Sequence, residues 1–161
     1  MSASARAAIE ALRERGWTVG VAESLTGGAV SSALVSVAGA SSVFVGGVVA
    51  YATPIKHTLL GVDARLLEEY GPVHPEVALQ MAEGVRRALA VDGADAAVGM
   101  STTGIAGPES TDGQPVGTVH IGVVTPERAE TQAFLFDGDR ARIREQAVDA
   151  ALSMLVSALR E

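Results

Sequence analysis

A serine stands at a junction between a strand-like and a helix-like segment near the start of the chain. Ser24 lies in "AESLTGG", residues 22–28, after a short apolar run and before a pattern of small residues at helical spacing. Its hydroxyl can lie beside main-chain N–H groups of the loop and the helix start, the donors that an oxyanion or a phosphate requires. Alternatively, Ser24 or Thr26 only caps the helix, while Gly27 and Gly28 permit a tight turn.

A single lysine is the second candidate for chemistry. Lys56 is the one lysine among twelve basic residues, and it ends the segment "YATPIK", residues 51–56. If a helix begins at Pro54, Lys56 lies in its first turn, where the positive end of the helix dipole lowers the pKa of an amine. A neutral amine can accept a proton from a serine, whereas a guanidinium cannot. The alternative is a solvated surface lysine, with Tyr51 packed in the preceding strand.

Two further segments carry features of a binding site. The segment "STTGIAGP", residues 101–108, follows an apolar strand with three hydroxyl side chains, as expected at a pocket rim or in a hydrated turn. Arg140, Arg142 and Arg144 crowd the predicted start of the last helix, where acidic groups are normally preferred. A bound anion would relieve this conflict, and so would the acidic residues of the same segment.

The elements that must position these residues alternate between helix and strand. Apolar spacing predicts helices over 4–15, 29–39, 54–61, 63–70, 75–90 and 140–159, and strands over 18–22, 43–51, 94–102, 116–124 and 131–136. The last two strands form an antiparallel hairpin, and residues 107–115 a mobile loop. We therefore expect a three-layer α/β/α domain with a mixed, mostly parallel sheet.

Composition limits the possible functions. The 161 residues suit one domain, and the net charge of −7 argues against a nucleic-acid partner or an anionic membrane surface. The chain contains no cysteine, and its three histidines lack metal-type spacing, so we expect no metal site. We likewise predict no cofactor. No apolar stretch is long enough to span a membrane, which predicts a soluble cytoplasmic protein.

Five segments together resemble the C-terminal domain of the CinA family, the nicotinamide mononucleotide (NMN) amidohydrolases or NMN deamidases. They are "AESLTGG", "YATPIK", "STTGIAGP", "PVGTVHIGV" and "FDGDRARIR", in this order. The resemblance covers nearly the whole chain, so residues 1–161 are interpreted as a single domain of this kind. The family is also called competence- and damage-inducible, a label that describes regulation rather than a molecular activity.

The resemblance implies deamidation of NMN to nicotinate mononucleotide and ammonia in pyridine-nucleotide salvage, a part of NAD metabolism. Ser24 would be the nucleophile and Lys56 its base, with Tyr51 positioning Lys56 or sharing in proton transfer. The amides of Thr26, Gly27 and Gly28 would serve as oxyanion donors. Thr103 and Gly104 would line the nucleotide pocket, and Arg140 or Arg144 would hold the phosphate.

Other interpretations remain open. The chain lacks the molybdopterin-binding-like N-terminal domain of many relatives, so we expect their pyrophosphate-hydrolysing activity to be absent. A non-catalytic nucleotide-binding module would keep the pocket without needing a base beside a serine. Hydrolysis of another small carboxamide is also compatible with these residues. The small size of the domain further favours a homo-oligomer.

Overall fold

A computed structural model describes residues 2–110 and 113–161 of the chain, and it contains one five-stranded mixed sheet. The strand order is β2-β1-β3-β4-β5. The strands are β1 Val19–Glu23, β2 Phe44–Val49, β3 Val98–Gly104, β4 Thr118–Val124 and β5 Ala129–Leu135; the helices are α1 Ala3–Arg15, α2 Ala29–Val35, α3 Thr53–Leu60, α4 Ala64–Tyr70, α5 Pro75–Ala88 and α6 Arg140–Arg160.

Helices cover both faces of this sheet. Apolar side chains of α1, α2 and α6 form one large core cluster with the strands, including Ile9, Leu34 and Leu152. A second cluster on the opposite face joins α3, α4 and α5 and includes Leu60 and Met81. The predicted three-layer α/β/α class with a mixed sheet is therefore confirmed.

The pairing of the strands divides the sheet into two halves. Strand β1 pairs in parallel with both β2 and β3, whereas the pairs β3–β4 and β4–β5 are antiparallel. The hairpin predicted for the last two strands is confirmed. Two of the four strand pairs are parallel, whereas the sequence predicted a mostly parallel sheet.

Strand β1 lies at a switch point of the topology. The connection from β1 to β2 runs through α2 on one face, and the connection from β2 to β3 runs through α3, α4 and α5 on the other. The carboxyl ends of the three parallel strands therefore open together, the place where open α/β sheets bind ligands. Three of the segments selected for their chemistry lie at these strand ends or directly after them.

Some boundaries differ from the predictions for local reasons. Helix α2 ends at Val35 and is followed by a 3₁₀ turn at Ala40–Ser42, because Gly39 takes a left-handed conformation before it. The helix predicted to begin at Pro54 begins one residue earlier, since Thr53 is already helical and Ala52 occupies the cap position. In the predicted mobile loop over 107–115, residues 111 and 112 lie outside the described residues.

Candidate active site

Ser24 and Lys56 meet at the carboxyl end of β1. Ser24 begins the loop after β1, and its main-chain N–H donates to the carbonyl of Thr102 in the neighbouring strand at 3.1 Å. Lys56 projects from α3 with only 1% of its surface exposed, and its Nζ lies 2.9 Å from Ser24 Oγ. Two residues 32 positions apart are thus in hydrogen-bond contact.

Burial controls the charge of this lysine. Desolvation lowers the pKa of Lys56 from 10.5 to about 8. The sequence predicted a lowered pKa from the positive end of the helix, but the cause here is removal of the amine from water. Lys56 Nζ also donates to the carbonyls of Ala50 at 2.8 Å and Tyr51 at 3.1 Å. These neutral acceptors satisfy the N–H groups of the buried amine without an opposing charge.

A pocket opens over this pair, with a volume of about 280 Å³, near the lower end for small-molecule sites. Six of the predicted site residues line it: Ser24, Tyr51, Lys56, Thr103, Gly104 and Arg140. The pocket is completed by Leu25, Pro72, Val73, Ile105, Ala106, Gly107 and Glu109. The Thr103 hydroxyl donates to the Pro72 carbonyl at 2.7 Å, which fixes one wall.

Tyr51 and Arg140 form the rim of the pocket. The Tyr51 side chain is 62% exposed, and its hydroxyl accepts a hydrogen bond from Arg140 Nη2 at 3.3 Å. Arg140 Nη1 donates to the Gly107 carbonyl at 2.6 Å, and Arg140 forms no ion pair within the described residues. Tyr51 therefore contacts Lys56 through its main-chain carbonyl, while its phenol contacts the arginine.

Four predicted binding residues lie outside the pocket lining. The Thr26 hydroxyl lies 2.8 Å from that of Thr102, and the Gly27 N–H donates to the Ser24 carbonyl at 3.1 Å. Arg144 donates to the main-chain carbonyls of Leu25 at 2.8 Å and Thr26 at 3.3 Å. The last of the four, Gly28, takes φ 99° and permits the turn into α2. The Gly27 amide is thus occupied, and Arg144 contacts the loop without lining the pocket.

Sequence reasoning missed a buried glutamate beside Ser24. Glu23, the last residue of β1, is 0% exposed. Its carboxylate accepts hydrogen bonds from the N–H groups of Val30 and Ser31 at 2.9 and 3.0 Å and from the Ser31 hydroxyl at 2.8 Å. The first amides of α2, which we expected beside Ser24, are therefore taken by this carboxylate. The signal in the sequence was an acidic residue that ends a wholly apolar strand.

Lys56 is the only lysine of the sequence, so the described residues hold no second pair of serine and lysine. A larger cavity of about 480 Å³ lies between β5 and α6, but its lining contains no lysine, arginine or histidine. The described residues include no cluster of histidine, aspartate or glutamate placed to hold a metal ion. None of their helices is long and apolar enough to cross a membrane.

Comparisons with known proteins agree with this architecture. A family model described as the CinA C-terminal domain matches residues 1–159. A CinA-like protein of Anaeromyxobacter dehalogenans is 49% identical over 150 residues, which are 92% of this chain and 36% of that protein. A CinA-like protein of Frankia casuarinae is 45% identical over 144 residues, covering 89% of this chain and 32% of the relative. The chain thus spans about a third of the curated relatives that it matches.

Solved structures show the same fold. A competence-damaged protein (CinA) superfamily protein from Klebsiella pneumoniae superposes with a TM-score of 0.90 at 32% identity, covering 98% of this chain and 96% of that one. The competence/damage inducible protein CihA from Agrobacterium tumefaciens gives a TM-score of 0.86 at 34% identity, with coverages of 98% and 94%. These two chains match the present one over nearly their full lengths.

Proposed function

Because the chain belongs to the CinA C-terminal domain family, and because its pocket holds a serine against a buried lysine, we propose that it is an amidohydrolase. Its proposed substrate is NMN, which would be converted to nicotinate mononucleotide and ammonia in the cytoplasm as part of pyridine-nucleotide salvage. The bond to be broken is a linear amide, and the proposal requires neither a metal nor a cofactor.

The hydrogen bonds of Lys56 are the observation that carries this proposal. A neutral amine has two N–H bonds and one lone pair. The carbonyls of Ala50 and Tyr51 can take the two N–H bonds, which leaves the lone pair for the Ser24 hydroxyl at 2.9 Å. With a pKa of about 8, a substantial fraction of Lys56 is neutral near physiological pH. This is the arrangement that a lysine base needs in order to activate a serine.

The reaction then proceeds in two balanced steps. Ser24 Oγ attacks the carboxamide carbon as its proton passes to Lys56 Nζ, and the resulting tetrahedral intermediate carries a negative oxygen. When this intermediate collapses, the C–N bond breaks and Lys56 returns the proton to the leaving nitrogen, which departs as ammonia. Water then attacks the ester on Ser24, again giving a proton to Lys56, and the acid is released as the proton returns to Ser24.

Arg140 is the proposed partner of the substrate phosphate. It lies at the rim of the pocket, and its present acceptors are the uncharged oxygens of Gly107 and Tyr51. A phosphate can replace them with charge-assisted hydrogen bonds, which are stronger than bonds to neutral acceptors. Glu109 also lines the pocket and is exposed there. Its negative charge favours a site with a single phosphate over one with several anionic groups. Thr103 and Gly104 would contact the nucleotide from the opposite wall.

Release of free ammonia from NMN tests the proposal. The wild-type protein should release ammonia, and Ser24→Ala should bind NMN without turnover. The rate at low substrate should rise as Lys56 loses its proton around pH 8 and level off above it. A wild-type protein that binds NMN but releases no ammonia would favour the non-catalytic nucleotide-binding module. Faster turnover of nicotinamide, its riboside or another carboxamide would assign the enzyme to a different amide.

Assembly as a homo-oligomer is also part of the proposal. Residues 25–55 carry no charged side chain in a protein of net charge −7. This segment supplies the edge strand β2, and Val49, Tyr51, Ile55 and Leu59 expose apolar surface along it and the adjacent α3. A second copy, which carries the same negative charge, meets the least repulsion at this uncharged edge. Light scattering should give a dimer or larger species that Ile55→Glu with Leu59→Glu dissociates; a monomer at micromolar concentration would contradict it.

A further inference from the structure

Two charged side chains, those of Glu23 and Arg144, form hydrogen bonds that stabilise the loop carrying Ser24. We propose that Glu23 and Arg144 are positioning residues that hold this nucleophile loop, residues 24–28, through two separate sets of hydrogen bonds and thereby set the distance between Ser24 and Lys56. Their catalytic importance rests on the proposed amidohydrolase function. Their effect on the order of the loop does not, and the two can be measured separately.

Glu23 anchors the loop to the helix that follows it. Its carboxylate takes three hydrogen bonds from Val30 and Ser31, while its own main-chain carbonyl accepts from the N–H of Ala50 at 2.8 Å. The Ala50 carbonyl in turn accepts from Lys56 Nζ at 2.8 Å. Glu23 therefore connects both members of the pair, because it precedes Ser24 in the chain and supports an acceptor of Lys56.

The carboxylate of Glu23 forms hydrogen bonds only to groups at the start of α2 among the described residues. It is fully buried, and no lysine or arginine pairs with it among the described residues. Its charge is stabilised by N–H and hydroxyl donors at the start of α2, an interaction that a neutral amide cannot reproduce. A glutamine at position 23 would place an NH₂ group against main-chain N–H groups. The buried site therefore requires a carboxylate.

Arg144 holds the loop through its main-chain carbonyls. Its Nε donates to the Leu25 carbonyl at 2.8 Å and its Nη2 to the Thr26 carbonyl at 3.3 Å. These are consecutive peptide units directly after the nucleophile. Among the described residues Arg144 forms no ion pair with an acidic residue, so its guanidinium binds the two loop carbonyls instead of a carboxylate. Gly27 contributes space: a Cβ there would lie 3.4 Å from Arg144 Nη2, on a backbone with φ 59°.

The positioning proposal makes a kinetic prediction that differs from a binding role. Glu23→Gln and Arg144→Gln should each lower kcat for NMN by about 10- to 100-fold, since small misplacements of reacting groups have effects of this order, while KM changes little. Arg144→Lys should recover part of the loss, because it keeps the charge but not the fork that spans two carbonyls. Arg142→Gln and Glu145→Gln, exposed neighbours on α6, are the matched controls and should behave as wild type.

The substrate distinguishes positioning from phosphate binding. Nicotinamide riboside lacks the phosphate of NMN, so a positioning variant should lose the same factor in kcat on both substrates. An Arg144→Gln variant with raised KM for NMN alone would make Arg144 a phosphate ligand and overturn its assignment. A wild-type kcat in both variants would overturn the whole proposal.

Hydrogen exchange provides a readout that does not depend on activity. In Glu23→Gln and Arg144→Gln, amides in residues 24–31 should exchange faster, while those of β4 and α5 should keep their protection and show that the domain is folded. Unchanged exchange over 24–31 would refute the proposal even if the enzyme were less active. If amides 24–31 exchange faster in the variants but the wild-type protein hydrolyses no amide, the role of Glu23 and Arg144 in holding the loop is upheld and the proposed function is rejected. If Glu23→Gln fails to fold, Arg144→Lys and Arg144→Gln decide the question alone.

Discussion

The nucleophile loop has two sides that use the same kinds of groups for opposite purposes. On the pocket side, Ser24 contacts the proposed base Lys56, and Arg140 contacts uncharged oxygens of Gly107 and Tyr51 that a ligand can replace. On the other side, Arg144 donates hydrogen bonds to main-chain carbonyls of the loop, and Glu23 accepts hydrogen bonds from main-chain N–H groups of α2. Arg140 and Arg144 lie four residues apart on one helix, one turn from each other, yet they serve different sides. Residue type therefore identifies an arginine as a candidate site residue, but its hydrogen-bond partners decide whether it faces the ligand pocket or stabilises the loop.

The largest effect should come from the pocket side, at Lys56. Lys56→Arg keeps the positive charge but removes the group that can become neutral, so activity should fall by about 10²-fold or more. Ammonia release from NMN measures the loss, and circular dichroism with a thermal melt shows whether the fold survives.

The same substitution tests whether serine and lysine act as a unit. Combining Lys56→Arg with Ser24→Ala should cost much less than the product of the two separate losses. Near-normal deamidation by folded Lys56→Arg would make the lysine structural and transfer the role of base to another group. That result would remove the distinction between the two sides of the loop.

The next largest effect should separate the two arginines. Arg140→Gln should raise KM for NMN by about 10- to 100-fold, because charge-assisted bonds to the phosphate would be lost, with much less change for the riboside. Arg144→Gln, measured in parallel, should instead change kcat on both substrates. Identical kinetic signatures for the two variants would show that the proposed division of roles is wrong.

The sequence predicted the pocket side better than the other side. Ser24, Lys56, Tyr51 and Arg140 stand in segments whose residue types are unusual for their surroundings, and the parallel strands β1, β2 and β3 bring three of those segments to one edge. Helix and strand periodicity was sufficient to predict this fold class, since each face of the sheet is covered by an amphipathic or apolar helix.

The roles of Arg144 and Glu23, on the other side of the loop, could not be predicted from the sequence because their contacts are made to main-chain atoms. Nothing in the residue type of Arg144 indicates that its acceptors are the carbonyls of Leu25 and Thr26, 119 and 118 positions away. Likewise, the main-chain N–H groups at the start of α2 were expected to face an oxyanion or a phosphate, but the structure shows that the carboxylate of Glu23 occupies them. The cause of the lowered pKa at Lys56 was also hidden, since burial depends on tertiary packing.

The smallest effect is expected at Tyr51, whose two polar groups belong to different parts of the site. Its carbonyl accepts from Lys56, whereas its hydroxyl accepts from Arg140 at the exposed rim. Tyr51→Phe removes the hydroxyl and leaves the carbonyl in place. We expect kcat to stay within about threefold of wild type and KM for NMN to change by a similar factor, because this long hydrogen bond at the exposed rim contributes about 0.5 kcal/mol, the low end of the usual range. Steady-state kinetics on NMN measure this, with Tyr70→Phe, an exposed tyrosine beside His74, as the matched control. A loss of about 10²-fold in kcat with KM unchanged would instead give the phenol a share in proton transfer, one of the two roles that the family resemblance implies for Tyr51, and would extend the reacting groups from the buried pair to the rim.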